Sequence, residues 1–230
     1  MLIAAVLFLY IIIIGALPLV MHWRHKQLDL FTSFGAGVLL SAGFFHMLPD
    51  AIELLHAKAS LFTALGFFSI FVVEKFVLRH NHGHAPCHHN VGPSALIGLS
   101  VHSIISNFAL GISLKESSSL AWVLLSGVMI HKLPETLALS ALLLSSGWSR
   151  LKCFSGILFF ACMGPLGILT SNLAQYFQSN KTLSIAMAIS AGTFIYIGAI
   201  DLLPTLYKKG HKQHWNWIVF ILGLLLLIII

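Results

Sequence analysis

Two short stretches carry most of the chemistry in this sequence. One places His102, Ser103, Ser106 and Asn107 close together; the other places His131, Lys132 and Glu135 around Pro134. On a helix, positions four apart share a face, so His102 stacks with Ser106 and His131 with Glu135. Facing one another, two such helices offer two imidazoles, a carboxylate and a hydroxyl. Imidazole with carboxylate suits zinc and the neighbouring divalent transition metals. Pro134 has no N–H to give the carbonyl of Ile130, which leaves an oxygen free one residue from His131. A plainer reading stands beside this one. In it His131 and Glu135 are a buried pair holding two helices together, and His102 is a satisfied interhelical histidine. The serines are then the small residues common where membrane helices meet.

The elements that must position these groups follow from composition. Of 230 residues, 58% are apolar and 9% are charged, against roughly 25% charged in soluble domains. The mean hydropathy is +0.93. These values exclude an ordinary soluble enzyme, a disordered chain and a nucleic-acid binder. The net charge of +6 does not point to nucleic acid, because the basic residues lie between apolar runs, where they orient a membrane protein. Eight apolar segments are expected, at about 2–21, 30–50, 60–79, 94–114, 119–145, 151–177, 182–206 and 214–230. Each is close to the ~20 residues that cross a bilayer as a helix, and runs such as Ile11 to Ile14 lack the alternation of a β-barrel strand. The first segment has no basic n-region and no small-residue cleavage site, so it reads as a retained span rather than a signal peptide. The reading is of an all-α membrane protein with residues 1–230 as a single transmembrane domain. Cys87, Cys153 and Cys162 show no CxxC pairing, which argues against a disulfide framework or a thiolate zinc site.

Charge sets the orientation. The loops after segments 1, 3, 5 and 7 carry Arg24, Lys26, Arg79, Arg150, Lys152, Lys208, Lys209 and Lys212, whereas the others carry only Lys58, Lys115 and Lys181. The positive-inside rule makes the first set cytoplasmic and puts both termini outside. The chain also repeats. Ala36-Gly37, Gly43, His46 and Leu48-Pro49 in segment 2 recur as Ala191-Gly192, Gly198, Asp201 and Leu203-Pro204 in segment 7, at an offset of 155. In segments 4 and 5, His102, Ser106 and Ala109-Leu110 recur as His131, Glu135 and Ala138-Leu139, at an offset of 29. Each pair runs in opposite senses, which gives a 3+2+3 arrangement with inverted repeats. Such repeats mark secondary transporters with a midplane site.

HSIISNFALG (102–111) followed by HKLPE (131–135) resembles the fourth and fifth helices of the ZIP (Zrt/Irt-like) divalent metal transporters. FFHMLPDA (44–51) and AGTFIYIGAIDLLP (191–204) look like that family's second and seventh helices, and GPLGI (164–168) like its sixth. The resemblance spans nearly the whole chain. It implies that His102, His131 and Glu135 are transport-site ligands, with Ser106 at a position the family usually fills with Asp or Glu, followed by Gly. It implies movement of the metal into the cytoplasm, with the metal as substrate and no cofactor. Lys132, beside Ser103, falls where a second-metal ligand is expected in members that bind two ions. A tethered ammonium there replaces the second cation, and one metal is expected.

Other groups fit this frame. His80, His82, His84, His88 and His89 fall in a cytoplasmic loop at about 80–93; such a cluster binds metal loosely, and the resemblance suggests reception of ions after release. His46 and Asp50 stand one turn apart toward the outside, where a carboxylate attracts incoming cations; Asp201 lies on the exit half. The competing reading is helix termination at Pro49 and Pro204. Glu74 and Lys75 are expected to pair or to snorkel, and Trp215 and Trp217 to anchor at the interface. An intramembrane metalloprotease would need HExxH, but His131 is followed by Lys132, so the chain is not expected to be an enzyme. A divergent, non-transporting metal sensor with the same fold is the alternative, favoured by Ser106 and Lys132. The expected partners are a divalent metal ion and the lipid bilayer, with a homodimer left open. The absence of long loops and targeting segments favours a bacterial cytoplasmic membrane.

Overall fold

The computed structural model describes residues 2–21, 25–78, 91–116, 118–176, 180–206 and 213–229, and among these every regular element is helical. Segment 1 is α1 (Leu2–Val20). Segment 2 runs through α2 (His25–Ser41), a π-helical stretch (Ala42–Met47) and α3 (Leu48–Leu55). Segment 3 is α4 (Lys58–Val72) with a second π stretch (Val73–Leu78). Segments 4, 5 and 6 are α5 (Val91–Glu116), α6 (Ser118–Ser145) and α7 (Arg150–Thr170), the last ending in a 3₁₀ turn (Ser171–Tyr176). Segment 7 is α8 (Asn180–Tyr196), a third π stretch (Ile197–Leu202) and α9 (Leu203–Leu206). Segment 8 is α10 (Gln213–Ile229). Among the described residues, seven stretches are long and apolar enough to cross a membrane, and His214–Leu226 is a shorter apolar helix.

The bundle is organised by which faces must avoid lipid. The outer faces of α1, α4 and α10 are apolar, with Leu9, Ile13, Leu61, Phe68, Ile218 and Leu222 exposed. That is the surface hydrocarbon requires, since the helices satisfy their own backbone bonds. The polar residues turn inward on α5, α6 and α8. α5 packs on α6, α7 and α8, while α2 packs on α10 and α6. Side-chain to backbone bonds fix the sense of the helices. Arg150 donates to the carbonyl of Met21, and Gly92 N–H donates to Ser146 Oγ, 2.8 Å. These bonds gather the end of α1, the start of α5, the end of α6 and the start of α7 at one end of the bundle. Lys115 donates to the Ser171 carbonyl at the other end, 2.8 Å.

One expectation is refined. Segment 2 does not stop at Pro49: it continues to Leu55, and the chain turns at His56, whose φ is 50°. Pro49 follows the π stretch with no break, since Met47 and Leu48 are both right-handed helical, and the helix runs on past it. The π stretches in segments 2 and 7 begin 155 residues apart, the same offset as the sequence match. A π turn inserts a residue and loosens the backbone ladder, and it recurs at functional sites. Here the three π stretches carry His46, Glu74 with Lys75, and Asp201.

α4 and α8 meet backbone to backbone. A Cβ on Gly66 would run into the Ile189 carbonyl, and one on Gly192 into the Thr63 carbonyl. Small residues allow this approach between membrane helices. Gly192→Val is therefore expected to destabilise the fold by at least about 1–3 kcal/mol, the usual cost of overpacking. Urea denaturation in detergent would read it, and an unchanged midpoint would contradict the close contact.

Candidate metal centre

The middle of α5 and the middle of α6 face one another, so the groups the sequence placed on two helices converge. The rings of His102 and His131 lie 5.9 Å apart. His102, His131 and Glu135 each offer a ligand atom, and these atoms all lie within 4.8 Å of one another. A tetrahedral zinc with bonds of about 2.0–2.2 Å draws its ligands closer than this, a change within side-chain reach. His102 and Glu135 are buried, with exposures of 8% and 3%. The His102 ring also rests 4.8 Å from that of Phe194 on α8, which holds it toward α6.

The hydrogen bonds leave the right atoms available. His131 bonds the backbone of Gly127, one turn back, and its Nε2 has no partner. One ring nitrogen anchored to a carbonyl with the other free is the usual state of a metal-ligating histidine. Glu135 Oε2 accepts from Lys132 Nζ at 2.7 Å, and Oε1 has no partner. Buried acceptors without donors are rare, because each one costs desolvation free energy. Here two of them belong to the same three-residue cluster.

Lys132 is fully buried, 0% exposed. Its ammonium is bracketed by the Glu135 carboxylate and the Phe160 ring, whose centroid is 5.0 Å away. Ser103 is buried and its carbonyl accepts from Asn107 Nδ2 at 2.8 Å. Ser106 sits one turn from His102, with its hydroxyl turned back onto the Ser103 carbonyl at 3.2 Å. His46 and Asp50 pair at 3.8 Å, with both side chains well exposed. The loop histidines His80, His82, His84, His88 and His89 lie outside the described residues.

Asp201 belongs to a different cluster. Its carboxylate accepts from Ser94 at 3.2 Å, and close by stands Glu74, whose Oε2 accepts from Tyr196 at 2.8 Å. Glu74 also pairs with Lys75 at 3.1 Å. The pairing of Glu74 with Lys75 was expected, but not the burial of Glu74 or its bond to Tyr196. A tyrosine in an apolar helix reads equally well as interfacial, so only the meeting of α4, α5 and α8 exposes this network. Tyr196→Phe should cost about 1–3 kcal/mol of stability, the price of a lost bond to a buried carboxylate. Thermal unfolding in detergent measures it, and an unaltered midpoint would contradict the bond.

The geometry can be set beside known proteins. The family model described as ZIP Zinc transporter matches residues 1–96 and 90–230. The chain is 24% identical over 248 residues to zinc transporter ZIP9-B of Xenopus laevis, covering 86% of this chain and 82% of that protein. It is 28% identical over 264 residues to zinc transporter ZIP1 of Bos taurus, covering 93% and 81%. With zinc transporter ZIP1 of Homo sapiens it shares 28% over 255 residues, covering 89% and 78%.

Proposed function

The chain belongs to the ZIP zinc transporter family, and from that premise we propose that it carries a divalent transition-metal ion, zinc first, across a membrane into the cytoplasm by alternating access. The protein is an integral, multi-pass membrane protein. The observation that carries the site is the meeting of His102, His131 and Glu135, with ligand atoms within 4.8 Å and with His131 Nε2 and Glu135 Oε1 free of partners. Two imidazoles and a carboxylate form a donor set suited to zinc. The lone pairs of Ser106 or a water complete it. The ion is substrate here, and the chain is no enzyme in this reading.

The finer topology is part of the proposal. Residues 1–230 form one transmembrane domain of eight spans in inverted 3+2+3 repeats, with both termini outside. The excess of Lys and Arg after segments 1, 3, 5 and 7 supports that orientation, and the matching π stretches of segments 2 and 7 support the repeat. Metal then enters past Asp50 and His46, pauses at the α5–α6 centre and leaves past Asp201 toward the loop at about 80–93. Lys132, with Ser103 beside it, keeps an ammonium on the flank where a second ion would lie, so one metal is held. A bacterial cytoplasmic membrane rests on the short loops alone; the relatives named above are from vertebrates. A second copy of the chain is an open partner.

Uptake of zinc into proteoliposomes tests the reading. His131→Ala and Glu135→Ala should each lower the initial rate by at least about tenfold, since even outer-shell partners of a metal are worth 10–100-fold. Rates indistinguishable from wild type would refute the site. Acidification should slow uptake, because protons compete with metal for the imidazoles. Competition by iron, manganese and cadmium in the same assay ranks the ions. Metal bound without accumulating would point to a sensor instead. Asp50→Asn should slow uptake at low zinc and leave the saturated rate intact, as expected of a charge that only concentrates the ion; a changed saturated rate would place Asp50 elsewhere in the cycle.

A further inference from the structure

Asn107 is not among the three converging ligands, yet it is 1% exposed and its Oδ1 has no hydrogen-bond partner. The orientation of this amide is fixed chemically. Its nitrogen lies 2.8 Å from the Ser103 carbonyl, which only accepts, so the oxygen must point away from α5's own backbone. The whole amide lies beside α7, its three outer atoms 3.7–3.9 Å from the position a Cβ on Gly164 would take. One turn back from Gly164 on the same helix stands Phe160, over whose ring the Lys132 ammonium rests.

Helix geometry explains why these groups share one side. α5 and α6 are antiparallel, and His102 and His131 face one another across them. A step of one residue rotates each helix by about 100°. In an antiparallel pair, equal steps turn both side chains toward the same flank. Ser103 and Asn107 on α5 and Lys132 on α6 therefore lie on the flank that α7 covers. Ser100 Oγ also lacks a partner, but it stands two turns from Asn107 along α5, toward the other end of the bundle.

We infer that Asn107 is a positioning residue: when a divalent ion binds Glu135, the Lys132 ammonium leaves that carboxylate and is received by Asn107 Oδ1 across the face of Phe160. The inference rests on the metal-centre reading above and deepens it. The driving force is electrostatic. A cation on Glu135 Oε1 and an ammonium on Oε2 stand only about 4–5 Å apart by ordinary bond lengths. Their repulsion grows as the local dielectric falls. An ammonium that leaves a carboxylate inside hydrocarbon needs another acceptor, and a lysine cannot reach water from full burial. Asn107 offers a neutral oxygen in the same interface, and the ring of Phe160 attracts a cation along the way. The swing moves no proton and no bonding electrons; one hydrogen bond is exchanged for another. On release of the ion the ammonium returns to Glu135, so the carboxylate is never left alone.

Zinc affinity of the full-length protein in lipid nanodiscs, read by competition with a chromogenic chelator, tests this in wild type, N107L, K132M and the double variant. Leucine keeps the shape of asparagine and removes the acceptor. N107L should weaken zinc binding by about tenfold or more, the worth of a hydrogen bond to a charged group. The double variant should bind like K132M, because without the ammonium there is nothing to receive. Wild-type affinity in N107L, or the same loss in both backgrounds, overturns the inference. A measurement on the wild type guards against variants that fail to fold. Solid-state NMR with labelled lysine Nζ and glutamate Cδ should show the Lys75–Glu74 and Lys132–Glu135 contacts, and zinc should abolish the second alone. Persistence of both contacts in the zinc-loaded protein overturns the swing. If wild type binds no zinc, or H131A binds as well as wild type, the metal centre itself is wrong, a result distinct from a neutral N107L.

Discussion

A fully buried lysine has to be answered by the protein, because a hydrocarbon slab holds no water to answer it. Lys132 meets this constraint with Glu135 and the Phe160 ring, and the arrangement of α5, α6 and α7 follows from it. Replacing a buried ion pair with apolar residues is often neutral or stabilising, so the pair is a poor way to hold helices together. Ionisable groups at membrane depth mark ion pathways by default. The coexistence of a paired Glu135 Oε2 with an unpaired Oε1 and an unpaired His131 Nε2 fits a cluster shaped for a guest rather than for its own stability.

The rest of the bundle separates lipid-facing from ion-facing work. α1, α4 and α10 present apolar faces outward, while α5, α6 and α8 turn their polar residues in. Two polar clusters occupy different depths. One is the α5–α6 centre; the other joins Glu74, Tyr196, Asp201 and Ser94 nearer the end shared by Met21 and Arg150. Both carboxylates of the second cluster sit in π stretches, where the loosened ladder lets a side chain depart from the helical face that spacing assigns it. In the proposed path these clusters are successive stations for a cation, and the close contact of α4 with α8 at Gly66 and Gly192 ties the second station into a rigid pair.

Much of this was legible before any coordinates. The membrane class followed from hydropathy, and the helix boundaries came within a few residues because apolar runs have to match bilayer thickness. The pairing of His102 with His131 and Glu135 followed from helical spacing and a resemblance to transporters. The continuation of segment 2 past Pro49 was less legible, since a proline usually ends or kinks a helix, whereas here it follows directly on a π stretch. The Glu74–Tyr196 bond was not legible at all.

From the chain alone came the elements and the identity of the costly side chains, because both are local: hydropathy and helical periodicity are written residue by residue. Tertiary packing alone decided which of those side chains have partners. Tyr196 reached Glu74, Ser94 reached Asp201, and Glu135 and Asn107 each kept an oxygen without a donor. Such bonds extend only about 3 Å, so they are settled by how antiparallel helices rotate against one another and against α7, which no spacing along a single helix records.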